Sequence, residues 1–298
     1  MTRMQPGAYA ALPTFLDADE ALDLTAIREH VARLADAGLD GILACGSTGE
    51  FVALDEDERI AVAEAALEAG AGRLSVGVQV GSSSTRQSVR LARHAAAAGA
   101  DAIACVTPYY LKTDEAGLAD HLRAVHEAAP ELPLLAYSIP RLTGYAYGVE
   151  TLAALADEGV VHGVKESSDE IARLLHLREA CGPDFAIFAG SPTLMAAAHA
   201  HGMAGTITGL AAVAPAECAE VLRLESAAAA ALVQRLRPAA VACSLGNQPA
   251  GVKAGAALRF DTPPYVRAPR HVLTESEHAR AASLLQAAGL SLAGALAI

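Results

Sequence analysis

Gly159-Val160-Val161-His162-Gly163-Val164-Lys165-Glu166-Ser167-Ser168 reads as a short β-strand that ends on a lysine. A valine-rich run with one His and one Gly, closed by a Glu-Ser-Ser turn, suits a parallel strand buried on both faces. Lysine is costly inside such a strand, because a buried ammonium must be neutralised or paired. At the carboxyl end of a barrel strand the same side chain points into a catalytic mouth. Partial desolvation there favours the neutral, nucleophilic amine. The chain carries only three lysines, Lys112, Lys165 and Lys253, and draws its other cations from arginine. Lysine is therefore not a routine surface charge here. Lys165 is read as a candidate Schiff-base nucleophile rather than a solvent-facing strand end.

Outward from that strand, a strand followed by a helix recurs along the chain. Upstream strands are expected at Ala8 to Leu12, Gly41 to Cys45, Leu74 to Val80, Ala102 to Val106 and Leu134 to Tyr137. Downstream strands follow at Ala186 to Ala189 and Gly205 to Thr208. Helical periodicity separates them. In Asp23 to Ala37, for example, Leu24, Ile27, Val31 and Leu34 share one stripe before Gly38 stops the helix. Eight strand–helix units of this kind predict an α/β fold, a (β/α)8 TIM barrel over residues 1–215. A doubly wound sheet would place a glycine-rich phosphate turn after the first strand, and Leu12-Pro13-Thr14 is not one. Strand signals stop near Pro215, and residues 216–298 read as a C-terminal helical extension packed on the barrel. Thr274 followed by Glu275 and Glu277 starts its last helix with a cap and first-turn acids.

Composition excludes several classes. With 298 residues and 53% apolar content the chain can bury a large core, yet it holds no apolar run of the roughly 18 residues that a membrane span needs. No secretory leader is read at the N-terminus. A net charge of −12 without a basic patch argues against nucleic acid. The five cysteines are widely spaced, which fits reduced thiols and a cytoplasmic location. Cys45 and Cys105 lie in apolar runs and read as small hydrophobes. No His, Cys or carboxylate spacing suggests a metal site, and His162 reads as a core or supporting histidine.

Polar residues gather at the expected strand ends. Ser47-Thr48-Gly49 offers hydroxyls and backbone N–H groups suited to a carboxylate. Tyr109-Tyr110 follows the fourth strand, Tyr137 ends the fifth, and Lys165 ends the sixth. A phenol beside a Schiff-base lysine can relay protons during carbinolamine formation and imine hydrolysis. Gly190-Ser191 and Thr208-Gly209 would line the far side. Taken singly, each piece is an ordinary turn or packing residue; grouped around one lysine, they describe a site.

These motifs resemble the dihydrodipicolinate synthase / N-acetylneuraminate lyase superfamily of Schiff-base, pyruvate-handling class I aldolases. The matching pieces are Gly46-Ser47-Thr48-Gly49-Glu50, Thr107-Pro108-Tyr109-Tyr110, Tyr137-Ser138-Ile139-Pro140, Gly163-Val164-Lys165-Glu166 and Gly190-Ser191. The resemblance implies a homotetramer built as a dimer of dimers, with no external cofactor. It implies that Lys165 forms the imine with pyruvate or a 2-oxo acid, and that Tyr137 relays protons. Ser47 and Thr48 would hold the keto acid carboxylate, with Gly49 beside them, and a hydroxyl would link the two tyrosines. Tyr110 would be lent across a dimer interface, Ile207 would wall the pyruvate methyl, and Ser167, Gly190 and Ser191 would contact substrate.

Substrate choice departs from the synthase pattern, which has asparagine after the strand-five tyrosine and arginine two residues past the proline. Here Ser138 and Leu142 hold those positions, and Arg141 falls one residue early. Glu56, Ser83 and Gln87 stand where some synthases bind lysine, so lysine feedback is not expected. Ser191-Pro192 replaces the acidic residues of N-acetylneuraminate lyases, which would remove acceptors for a polyol chain. Phe51, Ala189-Gly190-Ser191 and Arg267-Ala268-Pro269 look like the 4-hydroxy-2-oxoglutarate aldolase branch. The synthase itself, a 2-keto-3-deoxy sugar acid aldolase or dehydratase, and a non-catalytic keto-acid-binding barrel are the alternatives.

Overall fold

The computed structural model describes residues 4–293. Eight parallel strands pair in chain order: β1 (Gly7–Ala11), β2 (Gly41–Ala44), β3 (Ser75–Gln79), β4 (Ala102–Val106), β5 (Leu134–Ser138), β6 (Gly163–Glu166), β7 (Ala186–Ala189) and β8 (Gly205–Thr208). β8 returns to β1 with Tyr9 opposite Ile207, which closes the barrel. The fold is the TIM barrel that the strand–helix alternation predicts.

The outer ring comprises α1 (Leu24–Asp36), α2 (Glu56–Gly70), α3 (Thr85–Ala97), α4 (Glu115–Ala128), a single turn α5 (Pro140–Thr143), α6 (Val149–Asp157), α7 (Ile171–Cys181), α8 (Met195–Ala200) and α9 (Pro215–Val221). The extension adds α10 (Ser226–Ala242), α11 (Ala250–Phe260) and α12 (Glu275–Ala287). Caps explain several starts. The Asp23 carboxylate accepts the Ala26 N–H, and Asp55 with Glu58 forms a capping box on α2.

Local structure departs from the expectation at the lysine strand. The lysine strand is shorter than the valine run suggests. Gly159, at φ 74°, ends α6, and the N–H groups of Val160 and Val161 both donate to the Leu155 carbonyl. Those valines therefore finish a helix, and the strand begins only at Gly163. Pro140 sits at the first position of α5, where its missing N–H costs the helix nothing. After β8, α9 packs on β1.

Two apolar layers hold the barrel. Met4, Tyr9, Leu43, Leu135, Phe188 and Ile207 fill its interior among small alanines. Tyr9 meets Phe188 edge to face at 5.5 Å. The second layer lies between strands and helices and continues without a break into α10 and α12, through Leu232, Leu236, Ala281 and Leu285. The extension thus shares the barrel's core. Among the described residues no helix is long and apolar enough to cross a membrane.

Candidate active site

The parallel ladder sets Lys165 directly opposite Tyr137 on β5 and Phe188 on β7. Neighbouring residues at one ladder level project to the same side, so amine and phenol meet. The Lys165 Nζ lies 4.1 Å from the centroid of the Tyr137 ring. Lys165 is 3% exposed and Tyr137 1%. Among the described residues Lys165 has no carboxylate partner. Lys253, equally scarce in the sequence, is buried too, but its Nζ donates to the Glu50 carboxylate and, at 2.6 Å, to the Tyr265 carbonyl. Scarcity alone would have singled out both lysines; only pairing separates them.

The Tyr137 hydroxyl and the Ser47 hydroxyl are 3.2 Å apart. Ser47 stands on the loop after β2, which leaves the strand through two strained residues. Cys45 and Glu50 both adopt left-handed backbone at φ 56°, a conformation that costs a non-glycine residue energy and persists only where the surroundings enforce it. The surroundings are visible. Glu50 is buried, binds Lys253 through one oxygen and accepts the Arg267 N–H at 3.1 Å through the other. Arg267 in turn bonds Glu58 at 2.7 Å. A residue of α11 and a residue of the C-terminal segment thus clamp the loop that carries Ser47 and Thr48.

A pocket of about 910 Å³ opens at the carboxyl ends of the strands. Ser47, Thr48, Tyr137, Lys165, Ser167, Gly190, Ser191 and Ile207 all line it. A Cβ on Gly190 would stand 2.0 Å from the Ser167 hydroxyl oxygen, so glycine there leaves room for that hydroxyl. Two predicted residues do not line the pocket. Gly49 turns away: its N–H donates to the Gly46 carbonyl at 3.0 Å, and its carbonyl accepts the Thr14 hydroxyl. Its amide is spent closing the turn. Tyr110 has left-handed backbone at φ 73° and is 94% exposed, projecting from the barrel beside Leu111. A second cleft of about 860 Å³ lies at the amino-terminal ends of β3 and β4, near Leu74, Ser75 and Asp101. That is the face barrels use for stability rather than chemistry.

The structure adds residues that spacing did not reveal. Asp169, three residues past the Lys165-Glu166 pair, lines the pocket and accepts the Ser191 hydroxyl at 2.5 Å. The expectation that this wall lacks an acidic acceptor is thereby corrected: the carboxylate comes from the β6 loop instead of the β7 loop. Arg141 and Leu142 both reach the pocket, as do Arg237 of α10 and Arg270 of the C-terminal segment. Beneath the site, Glu166 accepts the Arg173 Nε–H at 2.7 Å and the Ser168 N–H at 3.0 Å, fixing the turn after Lys165.

Other titratable groups lie in the packing. Burial pushes the Cys45 thiol up to about 11 and the Cys105 thiol to about 12, so both stay protonated. His162 accepts the Leu134 N–H at 3.2 Å, a supporting contact outside the pocket. Chemically, the pocket offers an amine against a phenol that contacts the Ser47 hydroxyl. That set can add to a carbonyl and move the protons the addition requires.

The Dihydrodipicolinate synthetase family model matches residues 4–288. An uncharacterised DapA-like lyase of Halobacterium salinarum is 36% identical over 281 residues, covering 92% of this chain and 90% of that one. The 4-hydroxy-tetrahydrodipicolinate synthase of Bartonella quintana is 36% identical over 96% of this chain and 99% of its own. Among solved structures, YagE of E. coli K12, a prophage protein of the dihydrodipicolinic acid synthase family in complex with pyruvate, superimposes with a TM-score of 0.92. It is 28% identical and covers 96% of this chain and 99% of that one.

Proposed function

This chain belongs to the dihydrodipicolinate synthetase family, and we propose that it is a Schiff-base lyase acting on a small 4-hydroxy-2-oxo acid through Lys165. The observation that carries the reading is the state of that amine: buried, without a carboxylate partner among the described residues, and 4.1 Å over the Tyr137 ring. A structural lysine in the same chain, Lys253, is ion-paired. A reactive one must be free to lose its proton.

In the proposed cycle the Lys165 amine adds to C2 of the 2-oxo acid, and loss of water leaves an iminium. Tyr137, having given its phenolic proton to the departing water, takes the proton of the 4-hydroxyl. The C3–C4 bond then breaks, its electron pair moves into an enamine, and an aldehyde departs. The enamine is protonated at C3, and water releases pyruvate and the free lysine. Tyr137 and Ser47, 3.2 Å apart, form the first two members of a proton path. Thr48 and the Ser47 amide region would hold the keto acid carboxylate. Ser167, Gly190, Ser191 and Ile207 would shape the remainder. The covalent imine replaces an external cofactor. Tyr110 is presented away from its own pocket, as a residue lent to a second copy in a homotetramer would be.

Leu142 in place of an arginine and Ser138 in place of an asparagine favour a 4-hydroxy-2-oxoglutarate aldolase-like activity. The names of relatives such as the Bartonella quintana enzyme support the synthase as the second reading. Borohydride reduction with pyruvate, followed by peptide mass spectrometry, tests the core of the proposal. The adduct should fall on the peptide containing Lys165; recovery of that peptide unmodified refutes it. Pyruvate release from a panel of 4-hydroxy-2-oxo acids, set against formation of 4-hydroxy-tetrahydrodipicolinate, then separates aldolase from synthase.

A further inference from the structure

We infer that the outer part of this pocket is an anion site, built by Arg141, Arg237 and Arg270, which receives a negatively charged far end of the substrate. The inference rests on the reading of Lys165 above. The pocket is lined by those three arginines and, among the described residues, by a single carboxylate, Asp169. The whole chain has 34 acidic and 22 basic residues. A cationic pocket on such a chain is a local inversion of its charge.

The partners of these arginines sharpen the point. Arg59 and Arg223 rest on backbone carbonyls, but other arginines that bridge elements find carboxylates, as Arg123 does with Glu158 and Arg267 with Glu58. The three at the pocket do not, among the described residues. Arg141 donates to the amide oxygen of Gln248, and Arg237 to that of Gln234 at 3.3 Å. Neutral acceptors orient a guanidinium without cancelling its charge. Arg270 has no side-chain bond among the described residues, is half-buried, and adds to the charges that disfavour protonated Lys253. Asp169, which accepts the Ser191 hydroxyl, offsets only one of the three guanidinium charges.

Position and size suit the far end of a substrate rather than its keto acid head. Ser47 and Thr48 already provide the donors near Lys165. Arg141 comes from α5, while Arg237 and Arg270 come from the extension, which rims the same pocket. A volume of about 910 Å³ is near the upper end for small-molecule sites and leaves space well beyond three carbons. Guanidinium groups match carboxylate and phosphate geometry alike. The ligand chemistry is therefore a 4-hydroxy-2-oxo acid ending in a carboxylate or a phosphate.

The test is a matched substrate series with pyruvate release as the readout. It contains 4-hydroxy-2-oxoglutarate, a six-carbon 4-hydroxy-2-oxo acid with a terminal phosphate, and the same six-carbon acid with a free terminal hydroxyl. At least one anionic-ended member should exceed the hydroxyl-ended one in kcat/KM by about 100-fold, and which one wins identifies the anion. Arg237→Gln and Arg270→Gln should each cut that preference about tenfold, mainly through KM, as loss of a charge-assisted bond does. Arg270→Lys should retain part of it. Because the preference is a ratio, a variant that merely folds poorly leaves it unchanged. A wild-type protein that cleaves the hydroxyl-ended acid equally well, or cleaves none of the series, overturns the anion site. So does a preference unmoved in the triple Gln variant. The pyruvate–borohydride adduct on Lys165 keeps the two readings apart: adduct without preference refutes the anion site alone, and absence of the adduct refutes both.

Discussion

Replacing Glu50 by Gln should destabilise the protein by about 3–5 kcal/mol, because it strands the buried Lys253 ammonium without a counter-charge. Both side chains are essentially excluded from solvent, at 0% and 1% exposure. After the change Lys253 keeps only the Tyr265 carbonyl at 2.6 Å and a neutral amide oxygen. Such a loss is about a fifth or more of the roughly 5–15 kcal/mol that hold a typical domain together. In urea, with a slope of about 3 kcal/mol/M, the midpoint should fall by about 1 M or more. Lys253→Met should cost a similar amount by stranding Glu50. The double variant removes both charges, so its loss should undercut the sum of the singles by at least about 1 kcal/mol.

The deficit should also depend on pH. Burial holds Lys253 below the ordinary lysine range, and Glu50 pulls against that shift. A depressed lysine binds fewer protons folded than unfolded, so stability rises with pH as the group loses its proton in the native state. Without Glu50 the depression deepens, and the Glu50→Gln deficit should shrink between pH 7 and pH 10. Strictly additive singles, or a midpoint moved by less than about 0.3 M urea, would refute the argument that this pair carries the loop of Ser47.

Further outcomes follow from the same contacts. Tyr137→Phe should lower kcat by about 10²–10⁴-fold through loss of a proton relay, while unfolding stability changes by less than about 1.5 kcal/mol for one hydroxyl pair; equal turnover by the variant would remove Tyr137 from the path. Gly190→Ala drives a Cβ to within 2.0 Å of the Ser167 oxygen and should raise the pyruvate concentration needed for adduct formation by about 2–10-fold, the worth of one neutral hydrogen bond. His30 is fully buried between Phe15 and Phe260, and burial pushes its pKa down to about 3. The unfolded chain takes up that proton near pH 6.5 and the folded one does not, so stability should fall by about 2 kcal/mol between pH 7 and pH 5 on account of this residue. Urea titrations at the two pH values should show that part of the fall abolished in His30→Phe.

Much of the site was legible because it sits at strand ends. Lys165, Tyr137 and Ser47 terminate or follow apolar runs, and a barrel directs such residues to one mouth. Asp169, Arg237 and Arg270 were not legible, because each lies in a helical or irregular segment with no periodicity pointing anywhere. Their shared destination depends on how the extension packs over the barrel. The Gly49 amide failed for a local reason: a turn of four residues uses its own N–H groups to close. The valines after Gly159 failed because β-branched residues at a helix end resemble the start of a strand.

What the linear chain determined unaided was the alternation of strand and helix, the closure count, and the lysine–tyrosine ladder, since side-chain period and burial are local properties. Tertiary structure alone decided which of two scarce lysines is paired, where the arginines of α5, α10 and the C-terminal segment converge, and how that segment holds the Ser47 loop. Those outcomes turn on contacts between residues some 200 positions apart, such as Glu50 and Lys253, separated by 203. No pattern within a strand or helix encodes a distance of that kind; only packing of the assembled core brings the two charges together.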